Sequence, residues 1–177
     1  MTDMNILLAG FGGQGILFTG KVIAYSGLME GKEVSWLPSY GPEMRGGTAN
    51  CSVCLSDAAI GSPLVTNPDV LVAMNLPSLD KFENDVVPGG LIIVDSSIIK
   101  KKVERTDVKT IYIPASEIAE NAGIKGAANM VILGKLFKET NFCTPDNLDK
   151  GLQKTIPAKK MDLLDKNRLC IKLGTEN

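Results

Sequence analysis

The sequence predicts an α/β fold: a three-layer, Rossmann-like domain on a mostly parallel sheet, with one antiparallel strand and C-terminal helices. Three observations predict it. Short apolar runs bounded by glycine or proline recur between residues 4 and 113, which is how strands buried on both faces read. Helical stretches alternate with them, the arrangement that covers a parallel sheet. From about residue 115 to 173 the pattern turns helical. The 177 residues are expected to form one domain, 1–177.

Met4 to Ala9 reads as a buried strand and runs into Gly10-Phe11-Gly12-Gly13-Gln14-Gly15. An apolar helix follows from Ile16 to Leu28, and Glu33 to Leu37 reads as a second strand. Residues 38–47 carry prolines, glycines and polar groups and read as a loop. Thr48 to Ser56 is a third strand. The ten-residue link before it is too short for a parallel crossover, so this strand is expected to be antiparallel, with an edge position open to it. Asp69 to Met74 is a further buried strand, Ser78 to Val86 a short helix, and Leu91 to Asp95 a central strand. Residues 98–108 are charged and read as a surface loop before the strand Lys109 to Ile113. Ser116 is the expected N-cap of a helix from Glu117 to Ala122. Ala127 to Thr140 is a mostly buried helix in which Gly134 marks a close contact. Thr144 caps a helix to about Lys154, with Pro145 at its first position. Residues 158–172 read as one amphipathic helix, with a frayed tail after Leu173.

Composition narrows the function. Lysine plus arginine number 19 and aspartate plus glutamate 20. That balance gives no reason to expect nucleic acid or an anionic membrane as partner. No apolar run is long enough to span a bilayer, and no basic lead-in precedes residues 4–10, so a cytoplasmic chain is expected. Histidine is absent, which removes the commonest general base and metal ligand. The four cysteines read as reduced thiols. Cys51 and Cys54 lie three apart in a strand and so face opposite ways, which argues against a redox or metal pair.

Two stretches hold the candidate site. Glycines 10, 12 and 15 match Gly-x-Gly-x-x-Gly between a strand and a helix. There the backbone N–H groups and the helix N-terminus can face an anion, or the glycines can serve tight packing. No acid stands at the end of the second strand for a ribose, which disfavours NAD. The second stretch, Trp36 to Thr48, presents Ser39, Tyr40, Glu43 and Arg45 between conformationally special residues such as Gly46. Both stretches follow parallel strands, so they are expected to be neighbours at the carboxyl edge of the sheet. Asn129, polar in an apolar helix, either caps that helix or reaches a ligand.

Residues 8–20 together with Pro38 to Asn50 resemble the gamma subunit of 2-oxoacid:ferredoxin (acceptor) oxidoreductases. Residues 68–75, 88–96 and 128–134 fit the same family, so the resemblance covers most of the chain to about residue 140. Tyr40 and Met44 place it nearer the 2-oxoglutarate and then the branched-chain 2-oxoacid branches than the pyruvate branch; Cys54 is a local departure. The resemblance implies a heteromeric enzyme that decarboxylates a 2-oxoacid on thiamine diphosphate with magnesium. It further implies that electrons pass through iron–sulfur clusters to ferredoxin or a similar acceptor and that an acyl-CoA forms. Alpha and beta subunits and a ferredoxin-like delta subunit are the implied partners.

The chain lacks the Gly-Asp-Gly and asparagine pair of thiamine enzymes and a cysteine run for a cluster. It is therefore expected to have no catalytic residue and no metal of its own. The resemblance further implies that it contributes a wall of a coenzyme A site. The residues proposed to bind there are Gly10, Gly12, Gly13, Gln14, Gly15, Ser39, Tyr40, Glu43, Arg45, Gly46 and Asn129. The alternatives are a free-standing Rossmann-like nucleotide-binding module and a purely structural subunit.

Overall fold

A computed structural model describes residues 3–40 and 48–177. Six strands form one sheet: β1 (Met4–Phe11), β2 (Glu33–Tyr40), β3 (Thr48–Ser56), β4 (Val70–Ala73), β5 (Leu91–Asp95) and β6 (Lys109–Ile113). Their order is β2-β3-β1-β4-β5-β6. β4, β5 and β6 continue β1 in parallel, while β3 is antiparallel to both β1 and β2. The antiparallel strand is thus where the short link requires, but β3 is interior and β2 is the edge. The crossover through α1 (Ile16–Met29) carries β2 past one vacant place, and the chain folds back to fill it with β3.

Alternation along the strands sorts the core into two layers. Ile6, Leu8, Val70, Val72 and Ile93 face one side, and Leu7, Leu71, Ala73, Ile92 and Val94 the other. The first side is covered by α1, α3 (Ala115–Asn121), α4 (Ala128–Thr140), α5 (Pro145–Thr155) and α6 (Leu164–Glu176). The second is covered by α2 (Leu76–Phe82) and by connectors that supply Val65 and Ile99. Hence residues 98–108 do more than run over the surface. Ile99 is buried, and the buried Glu83 carboxylate accepts from the Glu104 and Arg105 N–H groups at 2.5 and 3.2 Å.

Several boundaries shift for physical reasons. β2 runs on through Pro38, Ser39 and Tyr40, which the turn-forming composition had suggested were loop. Proline is tolerated because an edge strand leaves N–H groups without ladder partners. α2 starts at Leu76 because the Asn75 side chain accepts from Ser78 N–H at 2.8 Å. β5 is interior as expected, buried along its length between β4 and the edge strand β6. Ser116 is not an N-cap: α3 begins at Ala115, and the Ser116 hydroxyl donates to the Asp95 carboxylate at 2.6 Å. Asp95, buried at the end of β5, supplies that helix start with its acceptor from outside.

The last predicted helix is two elements, a 3-10 stretch Ala158–Leu163 broken at Lys160 and then α6. α6 does not fray after Leu173 but continues to Glu176. Gly134 does mark a close contact. A Cβ there would fall on the Ile171 carbonyl oxygen, and one at Gly174 on the Val131 carbonyl oxygen.

Candidate anion site at the glycine loop

The chain leaves β1 toward β3 and β2 on one side, while β4 lies on the other, so the β1/β4 boundary is the topological switch point of the sheet. The glycine loop sits there. Gln14 closes it: its amide oxygen accepts from Phe11 N–H at 2.6 Å, and its amide nitrogen donates to the Met74 carbonyl at 2.9 Å. Gly10 has no room for a side chain, since a Cβ would lie 2.6 Å from the Gln14 amide oxygen and 3.1 Å from Met74 Cβ. Gly13 and Gly15 adopt φ of 93° and 77°, which glycine reaches without strain. Gly15 is the N-cap of α1, with no side-chain cap, so the first amides of that helix keep their donors for a ligand or solvent. Gly12 lies in the turn that follows β1.

Asn129 does not cap α4, whose N-cap is Ala127. Its side chain, nearly buried, donates to the Gly15 carbonyl at 3.3 Å and to the Thr19 hydroxyl at 3.2 Å. It therefore ties the glycine loop to the helical layer. Thr19 has no signal in the sequence, because a threonine inside an apolar helix reads as core.

A cleft of about 620 Å³ opens beside Gly13, Gly15 and Asn129, a size within the range of small-molecule sites. Phe18 and Lys21 of α1, the turn before α4, and the segment after α5 complete it. Four lysines line it: Lys21, Lys125, Lys160 and Lys166. None stands out in the sequence except Lys21, the lone charge of α1. The others come from segments that only the helical layer brings together.

The second stretch divides. Ser39 and Tyr40 end β2 in register with Asn50 and Ala49, which pair in turn with Ala9 and Gly10. Tyr40 therefore stands two strand spacings from Gly10, about 10 Å. Ser39 is exposed and does not line the cleft. Glu43, Arg45 and Gly46 lie outside the described residues, but the chain on either side of them enters and leaves at the same sheet edge as the glycine loop.

The cysteines are placed for packing. Cys51 and Cys54 belong to opposite layers. Cys51 touches the Gly20 backbone position and the Trp36 indole, and burial pushes its thiol up to about 12. Burial, with the Glu30 charge, likewise pushes Cys143 up to about 12, and burial also raises Cys170. These folded values exceed the ordinary 9.0, so the neutral thiols support the fold below pH 9 and that support is lost as pH rises toward 12. Native protein at pH 8 is expected to leave Cys51 and Cys143 unalkylated by iodoacetamide, while urea-unfolded protein labels fully; peptide mapping checks this. Among the described residues no three metal-ligating side chains converge, and no helix is long and apolar enough to cross a membrane.

Comparison with known proteins agrees with this architecture. A family model described as pyruvate ferredoxin/flavodoxin oxidoreductase matches residues 5–177. The chain is 40% identical over 174 residues to ketoisovalerate oxidoreductase subunit VorA of Methanothermobacter thermautotrophicus, covering 98% of this chain and 36% of that protein. It thus spans about a third of that relative's length. It is 35% identical over 175 residues to 2-oxoglutarate synthase subunit KorC of Methanocaldococcus jannaschii, covering 97% and 92% of the two chains. Among solved structures, the gamma subunit of a keto/oxoacid ferredoxin oxidoreductase from Geobacter sulfurreducens superposes with a TM-score of 0.83 at 27% identity, over 98% of this chain and 96% of that one. A 2-oxoglutarate:ferredoxin oxidoreductase from Magnetococcus marinus, solved with 2-oxoglutarate, coenzyme A and succinyl-CoA, gives 0.88 at 25% identity over 99% of this chain and 31% of that one. The chain therefore belongs to the pyruvate ferredoxin/flavodoxin oxidoreductase family and has the fold of its gamma subunits.

Proposed function

We propose that this chain is the gamma subunit of a heteromeric, cytoplasmic 2-oxoacid:ferredoxin (or similar acceptor) oxidoreductase, and that it forms one wall of the coenzyme A site. The preferred substrate is 2-oxoglutarate; branched-chain 2-oxoacids come next. One observation carries the reading. An anion-ready glycine loop and a lysine-lined cleft lie at the switch point of the sheet. Such a surface binds and positions. The residues proposed to face coenzyme A are Gly10, Gly12, Gly13, Gln14, Gly15, Asn129, Ser39, Tyr40, Glu43, Arg45 and Gly46. In this arrangement Gln14 holds the loop closed and Asn129 fixes its height, while loop amides receive the diphosphate.

Thiamine diphosphate, magnesium and the clusters belong to alpha, beta and ferredoxin-like delta partners, and coenzyme A is the group this chain fits. The four thiols are buried and serve packing, with Cys51 and Cys54 in opposite layers of the core.

Purification of the native protein with identification of its companions tests the assignment. Co-elution with thiamine-binding and ferredoxin-like subunits, and 2-oxoglutarate oxidation dependent on coenzyme A, is the expected result. A chain that elutes alone and binds NAD or ATP tightly but not coenzyme A would instead be a free-standing nucleotide-binding module. Within the complex, Arg45→Ala is expected to raise the coenzyme A KM about tenfold, since a charge-assisted contact contributes roughly 1.5–3 kcal/mol. Steady-state kinetics across the coenzyme A range measure it, and unchanged kinetics would return the loop to a purely structural role.

A further inference from the structure

We propose that the lysine cluster of the cleft recognises the phosphorylated ribose of coenzyme A. In this assignment Lys160 and Lys166, assisted by Lys125, take its 3′-phosphomonoester and make the subunit discriminate coenzyme A from dephospho-coenzyme A. This assignment rests on the reading that coenzyme A contacts this chain, and it adds the residues that sense its third phosphate.

The charge distribution is the starting point. Acids slightly outnumber bases over the whole chain, so a random basic concavity would be expected to include carboxylates. Among the described residues this cleft gathers four lysines and no acid. Several lysines elsewhere are paired, Lys32 with Asp57, Lys109 and Lys135 with Glu139, and Lys150 with Asp146, while others, among the described residues, stand singly on the surface. Lys160 and Lys166 have no carboxylate within ion-pair distance among the described residues. Lys125 reaches Glu120 only at 3.9 Å, with both side chains largely exposed. The acids nearest in sequence do not line the cleft, and Asp165 is held 3.2 Å from Arg168.

The glycine loop already serves one diphosphate through its amides, so the lysines are surplus to that group. A site for an unmodified ribose places an acid on the sugar hydroxyls, whereas a phosphorylated ribose calls for a cation. Here β2 ends Pro38-Ser39-Tyr40 without an acid, and the cleft offers ammonium groups. A phosphomonoester carries about −1.5 to −2 charges at neutral pH and three acceptor oxygens, which a group of ammonium point charges satisfies.

The test uses the assembled enzyme. KM is measured for coenzyme A and for dephospho-coenzyme A in wild type, in Lys160→Gln/Lys166→Gln and in Gly15→Ala, with adenosine 3′,5′-bisphosphate as competitor. Wild type is expected to favour coenzyme A by about tenfold or more, the scale of one to two charge-assisted contacts. The lysine double variant is expected to raise the coenzyme A KM by about that factor and leave the dephospho-coenzyme A KM within about twofold. The bisphosphate should lose potency in parallel. Both lysines are exposed, so the variant is expected to fold.

An unchanged KM ratio in the double variant overturns the assignment, as does equal weakening of both thiols. If Gly15→Ala raises both KM values while the lysine variant alters neither, the coenzyme A site stands and the lysine assignment alone falls. If Gly15→Ala leaves both untouched, coenzyme A does not contact this loop and both readings fall. Preferential binding of NADPH, which also bears a ribose phosphate, would overturn it too.

Discussion

Alanine in place of Gly134 is expected to lower the unfolding free energy by about 2 kcal/mol, although alanine is the better helix former. The propensity gain is about 1 kcal/mol. Against it stands overpacking, about 3 kcal/mol when a well-packed contact must open. The added methyl would fall on the Ile171 carbonyl oxygen, with its carbon only 2.8 Å away. Both are backbone atoms, so no rotamer change relieves the clash and α6 as a whole must move. Gly174 meets the Val131 carbonyl from the other helix in the same way. Urea unfolding monitored by circular dichroism measures the effect, with the exposed-face change Lys138→Ala as a near-neutral control. The double variant Gly134→Ala/Gly174→Ala should fall short of additivity, because one helix displacement relieves both clashes. A Gly134→Ala protein more stable than wild type would show that α4 and α6 do not approach this closely. Since the 3-10 stretch and the start of α6 carry Lys160 and Lys166 into the cleft, the same displacement is expected, on the proposed assignment, to raise the coenzyme A KM.

Gly15→Ala should have the largest functional effect of any single methyl in the glycine loop. The residue sits at φ 77°, where a side chain costs about 1–2 kcal/mol. Its Cβ would also collide with the Asn129 amide, whose Cγ lies 2.8 Å away. Asn129 must then leave the Gly15 carbonyl and Thr19 hydroxyl it bridges. The expected result is a loss of about 2 kcal/mol in stability and a rise of more than tenfold in the coenzyme A KM. Gly13→Ala is the informative comparison. Gly13 has φ 93° but, among the described residues, no atom within 4 Å of a built Cβ, so it is expected to suffer backbone strain alone and to be the milder variant. Equal effects at the two positions, by unfolding and by KM, would show that the Asn129 contact has no part in holding the loop.

These two glycines also show where the sequence is legible. Gly134 stands in an apolar helix where only a packing reason justifies it, and the close approach to Ile171 is that reason. Gly10, Gly12 and Gly15 read as a strand-to-helix loop from spacing alone, and β1 and α1 flank them as expected. The antiparallel β3 follows from link length, a topological constraint that needs no contact information. Its interior place does not, because strand order depends on which vacancy the α1 crossover leaves. Ser116 and Asn129 are illegible in the sequence for one shared reason. A polar side chain near a helix start suggests a cap, yet Ser116 answers to Asp95 from another strand and Asn129 to Gly15 from another loop. Local pattern carries no information on such distant partners. The lysine cleft is the extreme case, assembled from α1, the α3–α4 turn and the residues after α5.

The edges of the sheet carry a consequence for the protein's behaviour before it meets any partner. A six-stranded sheet of this kind has two open margins, and an unprotected margin is a template on which further chains can stack into aggregates. On one margin β2 carries Pro38, which lacks the donor a stacking strand would use. On the other, β6 begins with Lys109, tied to Glu139, and has Lys102 4.0 Å over the Tyr112 ring. Charge and proline are thus set where self-stacking would begin. Both margins of the sheet therefore resist the addition of a further strand.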